Sequence, residues 1–112
     1  MARMEKIYLG RENRLVRELT RAGAVLGTAD KEAITRVQAW INDEHCLDTD
    51  NPAHPIEYDD GVVTMQAGLV AGLEPGEATI HLTVYDPEHS DGLAWGSFEA
   101  EVLPWPTCEA TP

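Results

Sequence analysis

Five side chains that are able to bind a metal ion lie within ten residues: His45, Cys46, Asp48, Asp50 and His54. Histidine and cysteine are ligands of zinc, and carboxylates are ligands of calcium. No pair in this group has the spacing of a zinc finger, and the acidic run lacks the later glycine and glutamate of an EF-hand loop. We therefore interpret residues 45–55 as a polar surface loop and expect no metal or other cofactor.

A second titratable cluster stands between two predicted strands and consists of Asp86, Glu88, His89 and Asp91. A cation site or an acid–base pair needs a cleft that shifts pKa values, and a hairpin tip supplies none by itself. The favoured interpretation is that these residues form an ordinary turn between the two strands. Cys46 has no nucleophile motif around it, and the glycines are spaced as in turns rather than as in a phosphate-binding loop. The sequence therefore predicts no catalytic residues and a protein that is not an enzyme.

All eight Lys and Arg residues lie in the first 36 positions beside five acidic residues, whereas the later positions hold fifteen Asp and Glu. The net charge of −12 repels nucleic-acid phosphates and anionic membrane surfaces, so neither is an expected partner. Four arginines either pair with the acidic part of their own chain or contact a neighbouring copy: Arg11, Arg14, Arg17 and Arg21. In the second case a basic patch would meet an acidic patch in a heterologous contact, which builds rings or stacks.

Alternation of apolar and polar residues predicts a β-rich fold. The strongest pattern covers residues 77–103, where two alternating runs joined by a polar turn predict an antiparallel hairpin. Residues 34–41 are a further predicted strand, with one apolar face and Trp40 on the other face. Shorter β-rich runs occupy residues 6–9 and 62–66. Such short strands separated by turns are typical of a sandwich.

Residues 11–22 fit two structures. As a helix, they would place Leu15 and Leu19 on one apolar face; as a strand, they would place Arg17 between these leucines on the same side. The neighbouring β segments favour the strand. With a short helical turn near residues 30–33, the prediction is a mainly β sandwich domain of six to eight strands over residues 1–104. An extended tail is predicted for residues 105–112, because residues 104–112 hold three of the prolines and no strand pattern.

Three tryptophans are the best candidates for contacts with other molecules: Trp40, Trp95 and Trp105. Periodicity places Trp40 and Trp95 on the outward sides of their strands, and Trp is enriched at interface hot spots. The alternative is a bulge or register shift that turns the rings inward. A bulge at Gly96 would bring Trp95 and Phe98 to the same side of the strand. Trp105 would anchor the tail if the tail docks.

Nothing in the sequence indicates export or membrane insertion. No run approaches the roughly 20 apolar residues of a membrane-spanning helix, and the first six residues lack the apolar core of a signal peptide. We therefore expect the chain to be cytosolic at synthesis, with Cys46 and Cys108 as free thiols. A disulfide formed after assembly or release is the alternative.

The order of the segments resembles a known group of viral proteins. The segments that carry this resemblance are Gly10–Leu15, Ile34–Ile41, Gly61–Met65, Leu73–Gly76, Ile80–Asp86 and Gly92–Gly96. Over about residues 6–103, they resemble the small immunoglobulin-like β-sandwich proteins encoded among the structural genes of tailed bacteriophages and prophages. The resemblance implies a non-enzymatic virion component of the head, neck or tail/baseplate, with other virion proteins and copies of itself as partners. It also implies location in the virion, and in the cytoplasm of the bacterial host during assembly.

Two functions of other classes stay open at this point. A module that binds host-surface glycans would need Trp40 or Trp95 exposed beside polar loop residues. An acidic inhibitor that mimics nucleic acid against a basic host protein would need carboxylates in a dense stripe at phosphate-like spacing. The carboxylates are instead spread over predicted turns and strand ends, which favours the virion component.

Overall fold

The computed structural model describes residues 5–21 and 24–104, so the predicted tail with Trp105 and Cys108 lies outside the described residues. The strands are β1 Glu5–Tyr8, β2 Leu15–Glu18, β3 Thr20–Arg21, β4 Ala24–Val25, β5 Arg36–Ile41, β6 His45–Asp48, β7 Ile56–Asp59, β8 Val62–Met65, β9 Gly76–Asp86 and β10 His89–Leu103. The six-residue helix α1 covers Thr28–Ala33, and a 3₁₀ turn covers Ala67–Leu69.

Eight of these strands form two sheets. The larger sheet has the order β1-β10-β9-β5-β6, the smaller has the order β2-β8-β7, and β3 pairs with β4. This is the arrangement of an immunoglobulin-like sandwich. In the letters used for that fold, β2, β8 and β7 are strands B, E and D, and they face β5, β9 and β10, which are strands C, F and G. β6 takes the place of strand C′ beside C. The predicted mainly β sandwich with at most one short helix is confirmed. One pairing departs from the antiparallel pattern, because β1 runs parallel to β10.

The core lies between the inner faces of the two sheets. In β5, Val37, Ala39 and Ile41 are fully buried, and the residues between them face outward as the alternation predicts. The same alternation buries Ile80 and Val84 in β9. The smaller sheet contributes the buried side chains of Leu15, Ile56, Val63 and Met65. Burial of each large aliphatic side chain stabilises the fold by about 1.5–3 kcal/mol. Because apolar residues recur at every second position of these strands, one face of each sheet is apolar, and the two apolar faces pack together as a sandwich.

Residues 15–21 adopt the strand alternative. β2 pairs with β8, and after the buried Leu19 the chain continues into β3. Arg17 shares the inward side with Leu15 and Leu19, and its guanidinium carbon lies 4.0 Å from the ring centroid of Phe98. A guanidinium that stacks on an aromatic ring keeps a favourable contact in a partly buried position. This contact explains how a strand accommodates an arginine between two core leucines.

The predicted surface loop at residues 45–55 is wrong at its beginning. His45–Asp48 form the edge strand β6, which pairs with β5 and buries Leu47. One apolar side chain in four residues is too weak a pattern to distinguish a strand from a polar loop. The remainder of the segment forms turns and bends, and β7 begins directly after it at Ile56.

Candidate interaction surface

The outward-facing residues of the larger sheet form a continuous surface, which we call the outer face. At its centre, Trp40 on β5 stands opposite Cys46 on β6 and opposite His81 on β9. Trp40 is half-buried, because cross-strand neighbours on one face of a sheet contact each other's side chains. The surrounding residues without formal charge are Gln38, Thr83, Ala94 and Ser97. Trp40 therefore faces outward, as the periodicity predicts.

Four polar side chains at one end of the outer face form a connected network. Arg36 forms an ion pair with Asp48, and its Nε lies 3.0 and 3.2 Å from the two carboxylate oxygens. Gln38 Nε2 donates to Asp48 Oδ2 at 3.0 Å, and the hydroxyl of Tyr85 donates to Gln38 Oε1 at 2.8 Å. The Arg36 guanidinium holds the pKa of Asp48 well below its usual range, and Asp48 raises the pKa of Arg36. Both groups therefore stay charged at neutral pH, and their hydrogen bonds fix this end of the surface.

Charged residues at the other end of the outer face belong mainly to β1 and β10. Lys6 Nζ lies 2.5 Å from Glu101 Oε1, and this hydrogen bond raises the pKa of Lys6. The hydroxyl of Thr79 donates to a carboxylate oxygen of Glu99 at 3.3 Å. The outer face thus has an uncharged centre with an aromatic ring and a charged rim at both ends. This distribution is typical of protein–protein interfaces.

Side chains occupy backbone groups at both edges of the larger sheet. On β1, Asn13 Oδ1 accepts the N–H of Tyr8 at 3.2 Å, and Asn13 Nδ2 donates to the carbonyl of Lys6 at 2.7 Å. On β6, the N–H of Asp48 donates to Nδ1 of His54 at 3.0 Å. Strand edges with unpaired backbone groups invite strands from other chains. Because these three groups are already bonded, they are not open to a strand from another chain.

Trp95, the second candidate, is turned inward by a bulge. The pairing of β10 with β9 shifts between Ala94 and Gly96, which leaves Trp95 as the extra residue. Trp95 and Phe98 both pack against the core and are half-buried. The predicted bulge is confirmed. Trp95 consequently lines a groove that it shares with Arg17 and Phe98, and it does not belong to the outer face.

The candidate arginines have different surroundings. Arg17 lies at the gap between the sheets, where its Nη2 is 3.9 Å from Glu5 Oε1. Arg11 and Arg14 are exposed on the connection between β1 and β2, and among the described residues no ion pair is seen for Arg14. Two further candidates lie outside the described part of the structure: the side chain of Arg21 and the whole of Trp105.

The two clusters considered for metal or acid–base chemistry are engaged in local structure. Asp48 and His54 take part in the bonds described above. Asp86 Oδ1 accepts the N–H of Glu88 at 3.0 Å and that of His89 at 2.8 Å, and His89 Nδ1 also lies 2.8 Å from this oxygen. The hydrogen bond from the His89 ring lowers the pKa of Asp86. Within residues 5–21 and 24–104, no three His, Cys, Asp or Glu side chains are grouped as metal ligands. No helix in this part is long and apolar enough to cross a membrane.

Sequence reasoning missed the polar network and the edge contact of Asn13. A signal for the network was present, because Arg36 and Gln38 alternate with the core residues of β5 and so had to share a face with Trp40. Nothing in the sequence indicated that Asp48 would lie beside them, since β6 was not predicted. Asn13 gave no signal, because its role depends on the loop geometry after β1.

Comparison of the chain with protein-family models, curated proteins and solved structures gave a clear outcome. No match was found in any of the three. The likeness to phage sandwich proteins, which came from the order of the segments, therefore stays a prediction. What the protein does has to be argued from the chemistry of its surfaces.

Proposed function

We propose that this protein is a non-enzymatic structural or assembly component of a bacteriophage particle, in the head, neck or tail/baseplate. It binds other virion subunits and copies of itself, in the cytoplasm of the bacterial host during assembly and afterwards in the virion. The order of the segments supports the viral part of the proposal. The observation that carries the mode of action is Trp40, which faces outward and half-buried at the centre of a sheet face, between neighbours without formal charge.

Trp40 is the expected anchor of the contact. A tryptophan at the centre of an interface commonly contributes about 2 kcal/mol or more to binding. The ring stands on a rigid support, because Ala39 and Ile41 on either side of it are fully buried in the core. The network around Asp48 holds neighbouring side chains in place before binding, so little conformational entropy is lost on association.

The charges on the rim favour a neutral or basic partner surface. Asp43 is 85% exposed, and its Oδ1 lies 3.9 Å from Nε2 of His81. Glu99 is bonded only by a hydroxyl among the described groups. These exposed carboxylates would repel acidic side chains that face them on a partner. A partner with basic side chains around an apolar patch complements the outer face.

The test is assembly of particles in the host that carries the gene. With the wild-type chain, purified particles are expected to contain the protein in fixed stoichiometry. With Trp40→Ala, the folded protein is expected to accumulate in the cytoplasm without entering particles, because the anchor is lost. Thr20→Ala, an exposed substitution on β3 away from the outer face, is the control and should assemble normally. Particles that lack the wild-type protein, or that incorporate Trp40→Ala as well as the control, would contradict the proposal.

A glycan-binding module is the second candidate, because Trp40 faces outward beside His81 of β9. The ring is half-buried among strand residues, whereas the module calls for an exposed ring beside polar loop residues, which favours the virion component. Sugars stack on aromatic rings and accept hydrogen bonds from neighbouring polar side chains. A glycan array with the purified protein separates the two candidates. Binding that disappears with Trp40→Ala would favour the module, and an array without binding would favour the virion component.

A further inference from the structure

The sequence Asp–Gly occurs twice in this chain, at Asp60–Gly61 and at Asp91–Gly92. Glycine has no Cβ atom that shields its amide nitrogen, and its backbone adopts more conformations than that of any other residue. The nitrogen is therefore able to reach the side-chain carboxyl carbon of the preceding aspartate and to close a five-membered ring. Whether this ring forms in the folded protein depends on how firmly the backbone is held at each site.

The backbone at Asp60–Gly61 is held firmly. The two residues form the turn between β7 and β8 with positive φ angles of 47° and 83°, a conformation that suits Asp–Gly in a tight hairpin. The hydroxyl of Tyr58 accepts the N–H of Gly61 at 3.1 Å and donates to the carbonyl of Lys31 at 2.7 Å. The side chain of Lys31 covers Gly61, because a Cβ atom there would lie 3.0 Å from Lys31 Cε. The amide nitrogen of Gly61 is therefore bonded, and its surroundings are packed.

Asp91 and Gly92 lie where the ladder between β9 and β10 is interrupted. The three residues 90–92 of β10 stand opposite the single residue Tyr85 of β9. In such a bulge the extra residues have no cross-strand partner. Asp91 is exposed, and neither a hydrogen bond nor an ion pair of its carboxylate is seen among the described residues. No side chain in the described part of the chain bonds the N–H of Gly92, so this nitrogen lacks the hydroxyl that holds Gly61.

We propose that Asp91 is a site of spontaneous modification, where the folded protein converts aspartate into isoaspartate, and that Tyr58 protects Asp60 from the same reaction. The amide nitrogen of Gly92 attacks the side-chain carboxyl carbon of Asp91. A C–N bond forms, and the amide hydrogen leaves with the carboxyl hydroxyl as one molecule of water. Water then breaks the bond between this nitrogen and the main-chain carbonyl carbon of Asp91, which leaves the peptide linkage running through the side chain. Hydrolysis of the other C–N bond restores aspartate, and no reactant besides water is needed.

The modification changes the end of the β9–β10 hairpin. Isoaspartate has one more main-chain atom than aspartate, so the β10 side of the bulge becomes longer while Tyr85 opposite it stays the same. The bulge admits this atom more easily than a regular ladder would, because residues 90–92 have no cross-strand partners to displace. The inference goes beyond the proposed function and does not depend on it, since the reaction needs no partner molecule.

Peptide mapping of the purified full chain tests the proposal. Samples are incubated at physiological temperature and mildly acidic pH, digested, and assayed with an isoaspartate-specific methyltransferase and by electron-transfer fragmentation, because the mass of the peptide does not change. In the folded protein, isoaspartate is expected to accumulate at residue 91 and to form much more slowly at residue 60. In concentrated urea the fold no longer distinguishes the two sites, so both should react at similar rates.

Two variants separate local protection from general loosening of the fold. Tyr58→Phe removes the hydroxyl that holds Gly61, and the rate at residue 60 should rise about five- to tenfold, the equivalent of about 1–1.4 kcal/mol for one hydrogen bond. The rate at residue 91 should stay unchanged in this variant. Asp91→Glu keeps the charge but would need a six-membered ring, so it should abolish the modification at residue 91.

Three results would overturn the proposal. The first is an equal rate at the two residues in the folded wild type. The second is a folded wild type without isoaspartate at residue 91 when the same residue reacts in urea. The third is a rate at residue 60 that stays unchanged in Tyr58→Phe, or that rises only together with the rate at residue 91.

Discussion

Gly68 packs directly against the backbone of Tyr8. A Cβ atom on Gly68 would lie 2.1 Å from the carbonyl oxygen of Tyr8 and 2.7 Å from that of Arg11. The N–H of Gly10 also donates to the carbonyl of Gly68 at 2.8 Å. The 3₁₀ turn after β8 is thereby joined to the end of β1, and the contact leaves no room for a side chain.

Gly68→Ala is therefore expected to lower the free energy of unfolding by about 3 kcal/mol, because backbone atoms would have to move apart to admit the methyl group. Urea denaturation at pH 7 measures the change. Gly27→Ala is the matched control, since a Cβ atom there has nothing within 4 Å. The control should change the free energy of unfolding by less than about 0.5 kcal/mol. Equal effects of the two substitutions would show that the contact with Tyr8 is loose.

Asp48→Asn is expected to lower the free energy of unfolding at pH 7 by about 1 kcal/mol, because Arg36 loses its charged partner at the protein surface. The folded state depresses the pKa of Asp48, so the stabilisation is present above the unfolded pKa of about 3.9 and is lost as pH falls toward the folded value. The wild type and the variant should therefore converge between about pH 4 and pH 2. Urea denaturation over this range measures the difference. Asp50→Asn, which removes a more exposed carboxylate 3.4 Å from Arg36, should have a smaller effect.

Asn13→Ala is expected to make the protein less stable and more prone to aggregate. The substitution removes both side-chain hydrogen bonds to β1 and frees the N–H of Tyr8 and the carbonyl of Lys6 for another chain. Loss of two neutral hydrogen bonds costs about 1–2 kcal/mol. Thermal unfolding combined with light scattering measures both effects. Glu12→Ala on the same connection is the control, and aggregation equal to that of Asn13→Ala would show that the β1 edge is protected by other means.

Cys46 is expected to react slowly with alkylating agents. Burial raises the pKa of its thiol, and the nearby Asp48 carboxylate adds to the effect. A raised pKa lowers the thiolate fraction at a given pH, so the rate should be lower than that of an unhindered thiol and should reach half of its maximum at a higher pH. Alkylation by iodoacetamide in Cys108→Ser, followed by mass spectrometry, isolates Cys46. A rate equal to that of a small free thiol at pH 8 would contradict the expectation.

Much of the fold could be predicted because burial acts on single side chains at fixed intervals. The alternation in β5, β9 and β10 predicted which face of each strand meets the core. Trp95 and Phe98 are three residues apart, so a regular strand would place their rings on opposite sides, and this predicted the bulge. The short strands β6 and β7 were not predicted. Each has four residues, and so few positions carry too little periodicity to separate a strand from a polar turn.

The candidate site was only partly predictable, since its members meet across strands. Trp40 could be placed outward from its own strand alone. Its neighbours Cys46 and His81 depend on the pairing of β5 with two other strands, which periodicity does not determine. The sequence has a basic first part and an acidic later part, but this division did not predict which charged residues lie close together in the fold. Lys6 from the basic part lies beside Glu101 from the acidic part, because β1 pairs with β10.

The parallel pairing of β1 with β10 has a mechanical consequence. Glu5 begins the pair at Ala100, and Leu103 ends it beside Tyr8, so the first and last strands of the sandwich run in the same direction. A force that pulls the two ends of this domain apart slides the strands lengthwise past each other. The hydrogen bonds between them then share the load at once, instead of breaking one after another. We therefore expect the domain to resist stretching along this direction more than a domain whose end strands separate one hydrogen bond at a time.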